Sequence, residues 1–136
     1  MSHRETALTS LTRPRQHRLL RRPEFTACYE AGHRLFSRHF IVFAFSHASA
    51  GTNWRVGFAV SKKVGTAVRR NRVKRVLREF FRLHQGLVPP GMDIVVVPKR
   101  QLRPERVTLA FVRRDLLPVV ESLRGAASAG LPGARA

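Results

Sequence analysis

Residues that could carry out chemistry are sparse and scattered in this sequence. Eight acidic residues are spread over 136 positions, and no two of them lie closer than six positions apart. Metal-dependent nucleases hold their ions with clustered carboxylates, so this spacing argues against a metal site in the chain. The six histidines are equally dispersed, and the single cysteine, Cys28, can form neither an internal disulfide nor a cysteine zinc cage. The sequence therefore predicts no catalytic residue, no metal ligand and no bound cofactor.

Positive charge dominates the composition. Lysine and arginine together number 26, the formal net charge is +18, and the pI is about 12.0. Such an excess points to a nucleic acid or an anionic membrane as partner. No apolar run approaches the roughly 18–20 residues that span a bilayer, and the N-terminus lacks an apolar signal segment, so no membrane association is expected. The single cysteine fits a reducing cytoplasm.

Arginine is strongly preferred over lysine, by 22 residues to 4. The guanidinium group binds phosphate through two parallel hydrogen bonds and stacks on bases, so this preference suits contact with RNA. A GC-rich genome would produce the same preference.

The cations are concentrated on one predicted helix, which begins near Ala67. At 100° per residue, its apolar residues fall on one side; they are Val73, Val76, Leu77 and Phe80. A polar row lies opposite, formed by Asn71, Arg75, Arg78 and Arg82, and it is flanked by Arg70, Arg72, Lys74 and the lone acid Glu79. The pattern indicates one face for a protein core and one for a polyanion.

An ordinary solvated helix face is the simplest alternative for such a run of charge. Solvated helices normally mix signs, because like charges four residues apart destabilise a helix by about 0.2–0.5 kcal/mol per pair. Here Arg70, Lys74, Arg78 and Arg82 follow one another at that spacing. The arrangement is more easily understood if phosphate groups neutralise it.

Aromatic residues mark a second candidate surface near the N-terminus. Pro23 and Gly32 frame a short helix over Pro23–Ala31, on which Phe25 and Tyr29 share a face. From the pattern alone, packing of the two rings into the core is the more ordinary interpretation, and contact with a ligand is the alternative. A strand follows over Phe36–His47 and is apolar on both faces, with Phe40, Val42 and Ala44 on one and Ile41, Phe43 and Phe45 on the other.

A second strand is predicted over Trp54–Val60, joined to the first in a hairpin by the turn Ala48–Asn53. Val56, Phe58 and Val60 form its bulky face, whereas Gly57, Ala59 and Ser61 leave the other face low and open. A low surface beside aromatic rings suits a single RNA strand, because each stacked base contributes about 1–3 kcal/mol.

The remaining elements complete one domain. Met92–Val97 predicts a central strand, which makes strand, basic helix and strand a parallel crossover. Pro104 opens a last helix whose apolar positions are Leu109, Val112, Leu116, Val120 and Leu123, with Pro118 opposite them. We expect a flexible basic arm over residues 1–17, a single RNA-binding domain over 18–124 and a disordered tail over 125–136.

The stretch Val56–Arg82 resembles the bacterial ribonuclease P protein component. The resemblance rests on the triplet Arg70-Asn71-Arg72, which opens a basic helix after a strand ending in Val60-Ser61-Lys62-Lys63, and it extends over roughly residues 18–120. It implies a compact α+β two-layer sandwich of order α-β-β-α-β-α, with helices on one face of a small sheet and an unusual left-handed β-α-β crossover. It also implies that an RNA subunit holds the catalytic Mg²⁺ ions, while the protein binds that RNA and the 5′ leader of precursor tRNA.

The resemblance assigns roles to particular residues. Contact with the RNA subunit falls to Lys62, Lys63, Arg70, Asn71, Arg72, Lys74, Arg75, Arg78 and Arg82. Contact with the leader falls to Phe25, Tyr29, Phe43, Gly57 and Ala59. Tyr29 stands where the family often has phenylalanine, which keeps a stacking surface. Phe43 stands where tyrosine is common, so a hydroxyl contact is lost.

Two other functions remain open at this point. A ribosomal protein could carry a similar basic face, and it would co-purify with ribosomal subunits. A DNA-binding regulator needs a helix-turn-helix, whereas a strand precedes the basic helix here, so no DNA partner is expected. The resemblance implies a monomer bound one-to-one to its RNA.

Overall fold

The computed structural model describes residues 22–46 and 54–128. Its helices and strands, in chain order, are α1 (Arg22–Ala31), β1 (His33–Phe36), β2 (Phe40–Ser46), β3 (Arg55–Phe58), α2 (Ala67–Leu83), β4 (Met92–Pro98) and α3 (Leu109–Ser128). Short 3-10 helices cover Lys62–Val64, Gln85–Leu87 and Pro104–Arg106. The predicted arm (1–17), the turn Ala48–Asn53 and residues 129–136 lie outside the described residues. The last helix continues to Ser128, past the predicted start of the tail at 125.

The four strands form one mixed sheet in the order β1-β2-β4-β3. Strand β4 is central, as predicted, and its first five residues are buried. It pairs antiparallel with β2 and parallel with β3. The segment β3-α2-β4 is therefore the predicted parallel crossover, whose handedness stays a prediction. The α+β class is confirmed.

Two predictions about the strands were wrong. No hairpin joins β2 to β3, because β4 lies between them and pairs with both. An almost wholly apolar strand such as β4 is most stable in the middle of a sheet, where both of its edges are hydrogen-bonded and both of its faces are covered. In addition, β1 was not predicted as a separate strand; it is a four-residue edge strand that pairs with β2 in a hairpin.

A contact distant in sequence supports the β1–β2 hairpin. Ser37 Oγ donates a hydrogen bond to Asp115 Oδ2 at 2.6 Å, and the same carboxylate oxygen accepts from the backbone N–H of His39 at 3.0 Å. Ser37 Oγ also accepts from the backbone N–H of Phe40 at 3.1 Å. The turn is thus held by a carboxylate of α3.

The main core lies between the sheet and the helices α2 and α3. From the sheet it contains Phe40, Val42, Ala44, Val56, Ile94 and Val96, and from the helices Val73, Leu77, Phe80, Phe81, Val112, Leu116, Val120 and Leu123. The apolar positions predicted for the last helix are confirmed, and Pro118 is exposed. Pro104 opens a 3-10 turn and not the helix itself, which begins at Leu109 after Thr108 Oγ1 accepts from the N–H of Phe111.

The first helix packs against the opposite face of the sheet. There Cys28 of α1 meets Val95 of β4, with Phe25, Phe43 and Phe45 packed around them. The sheet is therefore covered on both faces, whereas helices were predicted on one face only. The physical reason is that the outward side of β2 carries Phe43 and Phe45, whose exposure to water would be unfavourable.

Gly32 makes the sharp exit from α1 possible. Its N–H donates to the carbonyl oxygen of Cys28 at 2.9 Å, and β1 begins at the next residue. A Cβ atom at this position would lie 2.3 Å from that carbonyl oxygen, which no side chain can tolerate. The position of α1 over the sheet depends on this glycine.

Candidate nucleic-acid interface

The basic helix α2 begins at Ala67, as its sequence predicts, and ends at Leu83. Thr66 caps the start, with its Oγ1 accepting from the N–H of Arg69 at 3.3 Å, and no proline or glycine interrupts the seventeen residues that follow. His84 terminates the helix, and both its backbone N–H and its ring Nδ1 lie within hydrogen-bond distance of the carbonyl oxygen of Phe80. A rigid helix of this length can present its polar side as one continuous surface.

The two predicted faces of α2 are present. Val73, Leu77 and Phe80 are fully buried, and Phe81 joins them. On the other side Asn71, Arg75 and Arg78 are exposed and Lys74 is half-buried. We call these four residues the basic face. Among the described residues, no hydrogen bond or ion pair engages their side chains.

Three of the other predicted arginines already bind protein groups. Arg70 donates to the carbonyl oxygen of Gly65 at 3.0 Å, and Arg72 donates to that of Val107 at 2.9 Å. Arg72 is half-buried and has a buried Nε with no partner among the described residues. Arg82 is held by Glu79. The side chains of these three arginines are held by protein groups beside the basic face.

Lys62 and Lys63 lie on the 3-10 helix that connects β3 to α2, and both are exposed. Gly65 ends that helix with φ of 154°, a conformation that residues with a Cβ rarely adopt. Its carbonyl oxygen is the one that Arg70 contacts. The glycine thus sets the direction from which the two lysines approach the start of α2.

The predicted leader-binding residues meet on the sheet face that α1 covers. Phe43 lies opposite Val95 in the β2–β4 ladder, and Gly57 lies opposite Val95 in the β3–β4 ladder, so the three form one row across the sheet. Tyr29 of α1 packs edge-on to Phe43, with ring centroids 4.9 Å apart. We call Phe25, Tyr29 and Phe43 the aromatic surface.

Exposure differs between these residues. Tyr29 is 42% exposed, while Phe25 and Phe43 are half-buried. The ring of Phe25 is thus largely packed against the sheet, while the ring of Tyr29 keeps a solvent-exposed side, and the assignment of both rings to the leader stays a prediction. Ser61 is exposed and Ala59 is half-buried, but Gly57 is buried, so the low, open surface predicted along β3 does not include Gly57.

The pKa of Tyr29 is raised above 10.0. Burial of the phenol is the larger cause, because desolvation disfavours the charged form, and an unfavourable Coulombic interaction of the phenolate with Cys28 adds to the effect. The hydroxyl is therefore protonated at neutral pH. A neutral phenol can donate a hydrogen bond to phosphate, whereas a phenolate would repel it.

Two further features of this same sheet face were not predicted from the sequence. Arg55 Nε and a second guanidinium nitrogen each lie 2.8 Å from one carboxylate oxygen of Asp93, which is only 2% exposed. An acid inside an apolar strand needs a partner, and that rule was the available signal. Phe36 is 58% exposed with Lys99 Nζ 5.5 Å from its ring centroid, and nothing in the sequence singled out that pair.

Within residues 22–46 and 54–128, no three histidine, cysteine, aspartate or glutamate side chains come together in a way that could hold a metal ion. None of the described helices combines the length and apolar character that crossing a membrane requires.

Fold and surfaces together define a small, strongly basic α+β protein with a cationic helix face and partly exposed aromatic rings. Comparison with known proteins identifies the family. The family model described as Ribonuclease P matches residues 13–123, and this chain belongs to that family. As a member of this family, the chain is the protein subunit of a ribonucleoprotein endoribonuclease that matures the 5′ ends of tRNA. Its partner is the ribonuclease P RNA.

Individual relatives agree with this assignment. The ribonuclease P protein component of Oleidesulfovibrio alaskensis is 60% identical over 110 residues, which cover 81% of this chain and 88% of the relative. The solved ribonuclease P protein of Thermotoga maritima has a TM-score of 0.69 at 36% identity, covering 77% of this chain and 96% of that one. The Staphylococcus aureus protein gives 0.68 at 29% identity, covering 78% and 94%.

Proposed function

We propose that the protein divides its RNA contacts between two surfaces on opposite sides of the sheet. The basic face of α2, with Lys62 and Lys63, binds the RNA subunit. The aromatic surface binds the 5′ leader of precursor tRNA. The observation that carries the second assignment is the exposed Tyr29 ring held edge-on to Phe43.

Electrostatics supports the assignment of the basic face. Lys74 and Arg78 are like charges at i and i+4, and within the described part of the chain no acid pairs with either. Their repulsion costs helix stability in the free protein, and phosphate groups relieve it on binding. Asn71 adds a group that both donates and accepts, which suits a ribose or a base edge.

Packing supports the assignment of the aromatic surface. An edge-to-face pair fixes the Tyr29 ring while leaving part of it in contact with solvent. A base can stack on such a ring with little loss of side-chain entropy, because the ring is already ordered. Stacking is tolerant of sequence, as leader binding requires, since leaders differ from one precursor to the next.

The protein supplies no catalytic group in this proposal. Cleavage depends on Mg²⁺ ions held by the RNA subunit, and the protein contributes affinity for the substrate and for the folded RNA. One protein molecule binds one RNA, and the particle works in the cytoplasm. The full-length protein incubated with magnesium and precursor tRNA should leave the substrate intact until its ribonuclease P RNA is added.

The test is a comparison of precursor and mature tRNA binding by the reconstituted holoenzyme. Tyr29→Leu keeps an apolar side chain but removes the aromatic ring, so affinity for precursor tRNA should fall about 5- to 30-fold, which corresponds to about 1–2 kcal/mol of stacking. Mature tRNA lacks the leader, so its affinity should be nearly unchanged. Phe25→Leu should act in the same direction.

Phe81→Leu is the matched control, because Phe81 is a fully buried ring on the other side of the sheet. It should lower the melting temperature and leave the ratio of precursor to mature affinity unchanged. Equal losses of both affinities in Tyr29→Leu would end the leader assignment. Mature 5′ ends produced by purified protein alone would contradict the assignment of catalysis to the RNA.

A further inference from the structure

A separate cationic cavity opens at the end of the sheet where β1 turns into β2. It has a volume of about 270 Å³ and is lined by His39, Gln101, Arg103, Arg106 and Phe111, which we call the cationic pocket. These residues come from the β1–β2 turn, the segment after β4 and the first turn of α3. Arg103 and Arg106 are exposed, and in the described part of the chain neither guanidinium has a hydrogen bond or an ion pair.

The aromatic wall of the pocket is fixed before any ligand arrives. The rings of His39 and Phe111 pack with centroids 4.7 Å apart. The backbone N–H of His39 donates to Asp115, and its ring Nδ1 lies 3.4 Å from the other oxygen of the same carboxylate. This contact leaves Nε2, on the far side of the imidazole, available to a ligand. A preordered wall reduces the entropy lost on binding.

The lining selects a ligand by its chemistry. Two unpaired guanidinium groups suit a phosphate, and two flat rings suit a base. Gln101 donates through Nε2 to the carbonyl oxygen of Arg38 at 3.2 Å, which leaves Oε1 to accept from a base amino group. Glu105 lies between the arginines in sequence, but it is exposed and does not line the cavity. The volume is just below the range of about 300–1,000 Å³ for small-molecule sites, so one nucleotide is the largest fit.

A hydrogen bond connects the segment that carries the cationic pocket to the basic helix α2. Arg72 of α2 donates to the carbonyl oxygen of Val107, the residue that follows Arg106. This bond joins the first half of the basic helix to the segment that carries the pocket arginines. The aromatic surface, by contrast, lies on the other face of the sheet. An RNA that follows the basic face therefore reaches the pocket without crossing the sheet.

We propose that the cationic pocket binds one unpaired nucleotide of the RNA subunit, with Arg103 and Arg106 on its phosphate and Phe111 beside its base. This inference rests on the proposed function, because it extends the contact with the RNA subunit beyond α2. The same chemistry is offered by an unpaired nucleotide of precursor tRNA, so the experiment separates the two RNAs.

The first test measures binding of the full-length protein to a transcript of its own ribonuclease P RNA over a range of salt concentrations. Arg103→Gln and Arg106→Gln should each weaken binding about tenfold, as the loss of a charge-assisted hydrogen bond does. Each should also make the dependence of log affinity on log salt shallower by about 0.7. Phe111→Leu should weaken binding without changing the salt dependence.

Arg113→Gln is the matched control. It removes the same charge from an exposed position of α3, two residues after Phe111 and therefore about 200° around the helix. Losses in the pocket variants no larger than in this control would overturn the proposal, because net charge alone would explain them. A loss confined to the affinity of the holoenzyme for precursor tRNA would also overturn it and move the nucleotide to the substrate.

Arg75→Ala in the same assay separates this proposal from the one on which it rests. If Arg75→Ala weakens binding and the pocket variants do not, the pocket proposal fails and the basic-face assignment stands. If none of these variants weakens binding, both fail. Loss of affinity in both sets supports both.

A tethered cleavage reagent locates the contact. Glu105→Cys places a reactive thiol beside the pocket, and Cys28 is fully buried, so the reagent attaches selectively. Cleavage of the RNA subunit at an unpaired nucleotide is the expected result. Cleavage of precursor tRNA alone, or of neither RNA, would contradict the proposal.

Discussion

Glu79 binds Arg82 within the same turn of α2. Arg82 Nε lies 3.0 Å from one carboxylate oxygen of Glu79, and a second guanidinium nitrogen contacts the other oxygen. The hydrogen bond from Arg82 is the largest cause that lowers the pKa of Glu79, and Glu79 in turn raises the pKa of Arg82. The positive charge at the C-terminal end of α2 is therefore partly neutralised in the free protein. An RNA phosphate must compete with the Glu79 carboxylate for Arg82.

Removal of this competition should strengthen RNA binding. Glu79→Gln should raise affinity for the RNA subunit about two- to fivefold at low salt, a change in keeping with the strength of exposed ion pairs. The salt dependence should become steeper by up to about 0.7 as Arg82 reaches a phosphate. Glu121→Gln on α3 is the control for net charge. Weaker binding by Glu79→Gln would mean that the carboxylate orients Arg82 for the RNA.

Substitutions on the two sides of α2 should separate binding from stability. Arg75→Ala should leave the melting temperature unchanged, since Arg75 is exposed, while making the salt dependence of RNA binding shallower by about 0.7–0.9. Leu77→Ala should lower the free energy of unfolding by about 2–4 kcal/mol, because Leu77 is fully buried and its loss leaves a cavity. A similar drop in melting temperature for both variants would show that the faces are wrongly assigned.

Ionisation of Tyr29 can be followed directly, because it is the only tyrosine in the chain. Absorbance of the phenolate near 295 nm should give a midpoint above pH 10.0 in the folded protein. The folded state then holds its proton at a pH where the unfolded state has lost it, so stability should fall as the pH rises above about 10 and be unaffected below. Phe43→Ala should move the midpoint back towards 10.0, since it exposes the phenol. An unchanged midpoint would contradict desolvation as the cause.

The Arg55–Asp93 pair should matter for stability more than for RNA binding. Arg55→Met leaves a carboxylate that is 2% exposed without this cation, and the free energy of unfolding should fall by about 3 kcal/mol. The double variant Arg55→Met with Asp93→Leu removes the buried charge as well, so it should be more stable than Arg55→Met alone. Chemical denaturation of the three proteins measures the difference. Strictly additive losses would exclude coupling between the two side chains.

Local patterns in the sequence determined the basic helix and the central strand. Thr66, the helical spacing of Val73, Leu77 and Phe80, and the absence of proline and glycine define α2 without reference to the rest of the chain. The period of the side chains also decides which of them face the core, so the exposure of Asn71 and Arg75 followed from the same pattern. The apolar run of β4 predicted a central strand because only burial on both faces suits it.

Neighbours in the sheet and contacts distant in sequence were decided by the tertiary structure. The turn between β1 and β2 contains no glycine, proline or asparagine, and its acceptor, Asp115, lies 78 residues away from Ser37. Likewise, β4 separates β2 from β3 although the two are neighbours in the chain. The residues that line the cationic pocket come from three segments, and the sequence of none of these segments by itself indicates a pocket. Hydrogen bonds and packing between distant segments leave no periodic trace, so their partners become visible only when the chain has folded.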